Sequence, residues 1–266
     1  MLSNLHTHTT FCDGKNTPEE IVLSAVDKGF SSIGFSGHGY ALYSTYGMKN
    51  TEEYIKEILR LRERYRDKIQ VYLGIEEDSY APVDRSKFDY IIGSSHYFFV
   101  GDKYYPIDSS NYLFKKCLEL FDYNVSNLAK AYYTTFIDYI MQRKPDIIGH
   151  FDLITKFDEL GESLFLNNGE YNKFGVDFAV GAASSGCIFE VNTGAISRGY
   201  RTSPYPSESI LYALKKEGAR ITVSSDSHQI DTLDFAFDET RRYLYDIGFR
   251  HAYVLYDGEF IKDELI

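Results

Sequence analysis

Residues 207–228, SESILYALKKEGARITVSSDSH, contain one complete unit of the pattern that decides the fold. A serine and a glutamate open an amphipathic stretch, as expected for the first turn of a helix. Gly218 follows that stretch, where a left-handed glycine commonly ends a helix. The β-branched run at 220–225 then predicts a buried strand. This strand runs directly into Asp226 and His228, two residue types that can bind metal ions.

The same alternation of helix and strand recurs along the chain. Thr17-Pro18-Glu19-Glu20 combines a capping hydroxyl, a first-turn proline and two acids at the start of another helix. Gly29 and Gly248 again lie between an amphipathic stretch and a strand. Strands that alternate with helices are typical of a parallel sheet, here an α/β barrel. The seven predicted strands, with an eighth at the C-terminus, are 3–8, 32–36, 69–75, 90–94, 146–149, 188–192, 220–225 and 252–256.

The segment from 109 to 143 interrupts this alternation with mostly helical, tyrosine-rich sequence. We therefore expect a helical insertion around residues 100–143 over one end of the barrel. No Pro/Gly/Ser-rich linker or low-complexity tract divides the chain, and α/β barrels commonly reach this length as one unit. Residues 1–266 are predicted to form a single domain.

The charge balance argues against nucleic acid and anionic membranes as partners. The chain has 28 basic and 39 acidic residues, a formal net charge of −11. The first residues contain no basic region followed by an apolar run, so we expect no secretory signal. Three scattered cysteines are too few for a disulfide framework. These features predict a cytoplasmic protein.

Histidines and acids occupy the ends of the predicted strands. Strand alternation places His6 and His8 on one face, and the other strand ends carry further imidazoles and carboxylates. A single histidine of this kind is usually an ordinary hydrogen-bonded residue, as we expect for His251. Because all strand C-termini of a parallel barrel open on one face, the whole set predicts a metal site there. The nine candidate ligands are His6, His8, Asp13, His38, Glu76, His96, His150, Asp226 and His228.

Nine ligands are too many for one or two ions that must also bind water, so we predict three divalent ions. Mixed imidazole and carboxylate ligation suits Zn, Mn or Fe(II), whereas Mg and Ca prefer oxygen. Three dications exceed the charge of three carboxylates, and the excess would attract an anionic substrate to an acidic protein.

At these residues the chain resembles the polymerase and histidinol phosphatase (PHP) superfamily over nearly its whole length. The first and last of the matching pieces are the most specific. Within the superfamily, residues 150–157 with Lys156, 192–200 and 204–206 resemble its histidinol-phosphatase branch. The superfamily pieces are His6-Thr7-His8-Thr9 with Cys12-Asp13-Gly14, Gly37-His38, Gly74-Ile75-Glu76, Gly93-Ser94-Ser95-His96, Gly149-His150-Phe151-Asp152-Leu153, Glu190-Val191-Asn192-Thr193 and Ser225-Asp226-Ser227-His228.

The resemblance implies a distorted seven-stranded β/α barrel with a trinuclear metal site. It further implies hydrolysis of a small phosphate monoester, histidinol phosphate, through attack by a metal-bridging hydroxide. Asp226 and His228 are the candidates to assist proton transfer to the leaving group. By similarity, the ligand sets are His6, His8, Glu76 and Asp226 for one ion, Glu76, His96 and His150 for a second, and Asp13, His38 and His228 for the third.

Other residues near the predicted site have alternative interpretations. Arg198 is the first candidate for a phosphate clamp and Arg201 the second, although a loop arginine is as often a solvated charge. Glu77 is expected to be solvated or to support a metal ligand, and Cys12 to pack as a small apolar residue. The aromatic run at 97–105 is compatible with either a pocket wall or ordinary core packing.

Two other functions fit the same residues. One is a different phosphoesterase activity of the superfamily, such as a nuclease or a phosphotyrosine phosphatase. The other is a non-catalytic module in which metal ions only stabilise the fold. The intact ligand set disfavours the second, because open metal positions are typical of catalytic sites.

Overall fold

The computed structural model describes residues 1–161 and 163–266. Its strands and helices alternate as the sequence predicts. The elements, in chain order, are β1 (Ser3–Asn4), α1 (Pro18–Asp27), β2 (Ser32–Phe35), α2 (Thr51–Tyr65), β3 (Gln70–Asp78), β4 (Tyr90–Ser94), β5 (Tyr97–Val100), β6 (Lys103–Pro106), α3 (Asn111–Glu119), α4 (Val125–Arg143), β7 (Ile147–Ile148), α5 (Gly169–Ala183), β8 (Ile188–Asn192), α6 (Gly194–Ser197), α7 (Glu208–Lys216), β9 (Ile221–Ser224), α8 (Phe237–Ile247), β10 (His251–Tyr256) and β11 (Glu259–Glu264).

Seven strands form a parallel sheet that nearly closes into a barrel. Their order is β1-β2-β3-β4-β7-β8-β9, and each neighbouring pair is parallel. Past the ends of β1 and β9, Thr7 and Ser227 form a parallel bridge. There the His8 amide donates to the Ser227 carbonyl at 2.8 Å, and the Ser227 amide donates to the His6 carbonyl at 3.1 Å. The predicted barrel class is confirmed, and its closure brings the first and last strands of the sheet together.

The predicted strand bounds agree with the structure except at a few ends. β4 and β8 match the prediction, whereas β1 and β7 are regular over only two residues each. β3 continues to Asp78, three residues beyond the predicted end. This extension exists because Glu77 and Asp78 still pair with Gly93 and Ser94 of β4. The C-terminal strand β10 pairs antiparallel with β11, outside the seven-stranded sheet.

The helix ends follow the capping signals of the sequence. At α1, the Thr17 hydroxyl accepts from the Glu20 amide at 3.3 Å, and the Glu20 carboxylate accepts from the Thr17 amide at 2.7 Å. This reciprocal pair satisfies two amides that the helix leaves free. Gly29 and Gly248 have φ of 77° and 114°, a conformation that side chains disfavour. α7 begins at Glu208 as predicted, but Ser207 makes no capping hydrogen bond through its side chain.

The predicted helical segment contains α3 and α4. α4 lies between β4 and β7 in the chain, and its buried aromatic side chains pack against Phe151, which in turn contacts Phe189 on the helix-facing side of β8. α4 therefore has the position of an ordinary crossover helix. The β5–β6 hairpin and α3 are the additional structure, and the hairpin was not predicted. Among the described residues, no helix is both long and apolar enough to cross a membrane.

Candidate metal centre

The candidate metal centre lies where the barrel strands end. Thr7 separates His6 from His8, and its hydroxyl donates to the Gly34 carbonyl at 2.6 Å. The two imidazoles consequently face the opposite way, toward the barrel mouth, and both are fully buried. The structure brings all nine candidate side chains to one cavity region, as distances between their ligand atoms show.

Glu76 lies at the centre of this cluster, and its two carboxylate oxygens face different imidazoles. Oε1 lies 3.0 Å from His150 Nε2 and 3.4 Å from His96 Nε2. A carboxylate with separate nitrogens at each oxygen can bridge two ions. The nitrogens near Oε2 are His38 Nδ1 at 2.7 Å, His6 Nε2 at 3.4 Å and His8 Nε2 at 3.6 Å.

Among the residues that the structure describes, four groups of side chains each have ligand atoms within 4.8 Å of one another. One group contains the set that the resemblance implies for the third ion, with His8 added. Another contains three of the four ligands implied for the first ion. The four groups are His8-Asp13-His38-His228, His6-Glu76-His150, His6-His8-Asp226 and His38-Glu76-His96. Ligation by these residues remains a prediction.

Several buried polar atoms of the cluster fit a cation. Within residues 1–161 and 163–266, His6 Nε2, His8 Nε2 and Glu76 Oε2 are buried without a well-aligned hydrogen bond, although His38 Nδ1 lies 2.7 Å from Glu76 Oε2. Buried polar atoms are nearly always paired, because an unpaired one costs desolvation free energy. A divalent ion between these atoms would satisfy them, so the donor set fits metal ions.

The electrostatics of the cluster couple imidazoles to carboxylates. Burial on its own lowers the pKa of His6, but the carboxylates of Glu190 and Glu76 outweigh it and raise that pKa to about 10. Burial on its own raises the pKa of Glu76, but the imidazoles around it hold that pKa well below the usual range. In the metal-free protein, imidazoles of the cluster therefore bind protons at positions where the carboxylates would also stabilise metal cations.

Arg198 reaches the cluster through Asp226. Its Nη2 lies 2.8 Å from Asp226 Oδ2, and its Nη1 donates to the Asp226 carbonyl at 2.9 Å. Asp226 has a left-handed backbone with φ of 47°, which is uncommon for a residue other than glycine. Arg198 and His228 both line the cavity, as a phosphate clamp requires.

Arg201, the second candidate for the clamp, lies elsewhere. It is buried, its guanidinium carbon stands 4.5 Å from the centre of the Tyr205 ring, and its Nη1 donates to the Thr155 hydroxyl at 2.8 Å. It is absent from the described residues that line the cavity. Arg201 therefore supports the packing behind the cavity wall.

The prediction for Glu77 was wrong. Its carboxylate is buried on the other face of β3 from Glu76, because side chains alternate along a strand. It forms two hydrogen bonds of 2.7 Å with Arg143 and accepts from the Tyr139 hydroxyl at 2.7 Å. It also accepts from the Val83 amide at 2.7 Å. Glu77 is thus a structural ion-pair partner that supports no candidate ligand.

Two residues to which the sequence analysis assigned no role position candidate ligands. Glu190 Oε1 lies 2.5 Å from His6 Nδ1, and Glu190 Oε2 accepts from the His150 amide at 2.7 Å. Asp78 Oδ2 accepts from the His96 amide at 3.0 Å and lies 3.3 Å from its Nδ1. Glu190 had two signals in the sequence, since it is the charged residue within an apolar strand and it begins one of the matching superfamily pieces. Such partners fix which imidazole nitrogen faces a metal.

A cavity of about 360 Å³ lies in front of the cluster. The tyrosines that line it are Tyr46, Tyr200 and Tyr205. Of the run at 97–105, Phe98 belongs to the hydrophobic core and Phe99 is 46% exposed, whereas Tyr97 lines a small pocket beside His38, Glu76 and His96. Cys12 packs beside the core, with its sulfur 3.6 Å from His8 Nδ1. His251 begins β10 and is exposed.

Known proteins resemble this chain over most of its length. A "probable histidinol-phosphatase" of Schizosaccharomyces pombe is 29% identical, over 90% of this chain and 84% of the relative. One of Deinococcus radiodurans, with the same name, is 25% identical over 94% and 97%. The crystal structure of histidinol phosphate phosphatase from Lactococcus lactis, in complex with zinc, L-histidinol and phosphate, superposes with a TM-score of 0.74 at 20% identity. It covers 98% of this chain and 99% of that one.

The family comparison covers the first six strands of the barrel. The family model of the PHP domain matches residues 4–194, which include seven of the nine candidate ligands, all except Asp226 and His228. The fold of the Lactococcus lactis protein extends the likeness to the remaining strand. The chain belongs to the PHP domain family.

Proposed function

We propose that this chain is a metal-dependent phosphatase that hydrolyses L-histidinol phosphate to L-histidinol and phosphate. One observation carries the proposal: a cavity lined by seven of the nine imidazole and carboxylate side chains, with His6 and His8 buried against them and Arg198 beside them. The choice of substrate is supported by two relatives named as probable histidinol-phosphatases, which are 29% and 25% identical to this chain over most of its length. A small cavity suits a small monoester better than a polymer.

We assign three divalent ions to the centre, in the ligand sets that the family resemblance implies. The two-sided environment of Glu76 supports a shared carboxylate between the first and second ions. The grouping of Asp13, His38 and His228 supports the third ion. Zinc is the first metal to test, because the Lactococcus lactis relative binds it, and Mn and Fe(II) suit the same donors.

When bound, the ions would activate a water molecule for in-line attack and neutralise the phosphoryl oxygens. The guanidinium of Arg198 binds the phosphate and is oriented for this by its two contacts with Asp226. Asp226 and His228 lie beside that contact and line the cavity. They are the residues to which we assign proton transfer to the leaving alkoxide.

Phosphate release tests the proposal directly. Purified protein loaded with zinc or manganese is assayed with L-histidinol phosphate, a phosphotyrosine peptide, a nucleoside monophosphate and DNA ends. We expect L-histidinol phosphate to be preferred by about 100-fold or more in kcat/KM, since a built polar site rejects substrates that leave its groups unpaired. Removal of metal by a chelator should abolish the activity, and added metal should restore it.

Two histidine variants provide the matched comparison. His150→Gln removes an imidazole whose Nε2 lies 3.0 Å from Glu76 and should abolish turnover. His251→Gln changes an exposed histidine and should leave turnover intact. Preference for the peptide or the nucleotide would contradict the substrate but not the metal chemistry. Metal-loaded protein that hydrolyses no monoester would favour the non-catalytic function.

A further inference from the structure

Part of the cavity lining is polar and belongs neither to the nine candidate ligands nor to Arg198. It includes Tyr46, Asp108, Lys156 and Tyr205. In the part of the chain that the structure describes, the two tyrosine hydroxyls and Asp108 Oδ1 are buried without a hydrogen-bond partner. Because such atoms are costly when unpaired, their presence around one cavity indicates a polar ligand that completes them.

Asp108 is the distinctive member of this lining. Four carboxylates line the cavity among the described residues, and Asp108 is the one outside the candidate metal ligands. Its other oxygen, Oδ2, lies 3.2 Å from Lys156 Nζ, which also donates to the Asp108 carbonyl at 2.7 Å. Lys156 thus fixes one side of the carboxylate, and Oδ1 keeps its capacity to accept a hydrogen bond.

The charge around the cavity explains why a carboxylate is needed there. A substrate that binds its phosphate near Arg198 has its alcohol portion in the rest of the cavity. If that portion carries a cation, the cation meets Arg198, Lys156 and the bound metal ions, which are all positive. A fixed carboxylate offsets this repulsion, because opposite charges attract strongly in a partly buried site.

We propose that Asp108 determines specificity by accepting a hydrogen bond from an ammonium group on the alcohol portion of the substrate. The hydroxyls of Tyr46 and Tyr205 complete the polar surroundings of that portion. The substrate class is therefore a phosphate monoester of an amino alcohol. This inference rests on the proposed function, because L-histidinol is such an alcohol, and it adds the residue that recognises the amine.

The test compares Asp108→Asn with the wild-type enzyme on two substrates. One is L-histidinol phosphate, and the other is 3-(imidazol-4-yl)propyl phosphate, which lacks only the amine. We expect kcat/KM for the first to fall by about 10- to 100-fold, mainly through KM, the loss typical of a charge-assisted hydrogen bond. For the second substrate kcat/KM should change by no more than about twofold, and metal content should stay the same.

Asp102→Asn is the matched control, since Asp102 lies exposed in the turn of the β5–β6 hairpin. It should leave both substrates unaffected. An equal loss on both substrates in Asp108→Asn would overturn the proposal, because Asp108 would then act through Lys156 or the cavity shape.

Product inhibition of the wild-type enzyme keeps the proposal testable if the variant does not fold. L-Histidinol should inhibit about tenfold more strongly than its analogue without the amine, and equal inhibition would overturn the proposal. If the wild-type enzyme hydrolyses other monoesters but not L-histidinol phosphate, the proposed function fails by itself. In that case kcat/KM is compared for 2-aminoethyl phosphate and ethyl phosphate. Only a preference for the substrate with the amine, abolished by Asp108→Asn, would support the proposed role of Asp108.

Discussion

His6 Nδ1 lies 2.5 Å from Glu190 Oε1 in the buried interior of the barrel. The contact fixes the imidazole so that Nε2 faces Glu76 and Asp226. The same carboxylate accepts from the His150 amide through its other oxygen. One buried side chain thus positions two candidate metal ligands from different strand ends.

Glu190→Gln should weaken metal binding. The substitution keeps the shape of the side chain but removes the charge that orients His6, and loss of such a partner typically lowers metal affinity by about 10- to 100-fold. Competition with a chromophoric chelator measures the dissociation constant of the most weakly bound ion.

Glu63→Gln serves as the control, because the Glu63 side chain is 73% exposed on α2. It should bind metal like the wild-type protein. A Glu190→Gln protein with unchanged metal affinity would show that the Glu190 carboxylate stabilises the barrel and does not position ligands of the metal centre.

Arg143→Met should destabilise the fold without emptying the metal centre. Glu77 would remain buried without its cation, and breaking a buried pair on one side costs about 3–5 kcal/mol. Urea unfolding, followed by circular dichroism, measures the free energy of unfolding. Metal content of the folded protein should be unchanged, since Glu77 faces away from Glu76.

The double variant Glu77→Gln/Arg143→Met distinguishes the effect of losing the ion pair from the effect of losing the packing of the Arg143 side chain. It should recover part of the lost stability, because no unpaired charge remains. Loss of metal at unchanged stability would instead mean that Glu77 belongs to the metal centre.

Arg198→Lys and Arg198→Ala should both impair turnover. Lysine keeps the charge but cannot contact phosphate and Asp226 with a planar fork, so we expect kcat/KM to fall by about tenfold, and by about 100-fold for alanine. Steady-state phosphate release provides the measurement. Arg242→Ala, at an exposed position of α8, should behave as wild type, whereas near-normal kcat/KM in Arg198→Ala would remove Arg198 from the phosphate site.

Metal binding to the metal-free protein should release protons at pH 7. Carboxylate neighbours raise the pKa of His6 to about 10, and those of His8 and His96 are also raised despite burial, so all three carry protons before metal binds. Ligation requires their neutral form. Affinity should therefore rise with pH up to the raised pKa values and fall as the solution becomes more acidic.

Calorimetry in two buffers of different ionisation enthalpy counts these protons. The carboxylate ligands Glu76 and Asp226 should release no protons, because their pKa values lie well below the usual range and they are already ionised. The exposed His251 should not contribute, so His251→Gln should release the same number. Binding that releases no proton, with affinity independent of pH, would contradict this electrostatic account.

Much of the architecture could be predicted because its signals are local. Helix starts, glycine ends and β-branched runs each act over a few residues, and Thr17, Gly29 and β4 have the structures that these signals indicate. Strand ends of a parallel barrel share one face, so the position of His6, His96 and His150 at strand ends was enough to predict that they meet.

Only the tertiary structure decided which other polar side chains contact the candidate ligands or line the cavity at that face. Glu190 contacts His6 across 184 positions of sequence, and the barrel closes through Thr7 and Ser227. Carboxylates such as Glu77, Asp78 and Asp108 look alike in the sequence, yet one pairs with Arg143, one positions His96 and one lines the cavity. Their roles depend on which side chains the closed barrel places beside them, because charge interactions are set by distance in space and not along the chain.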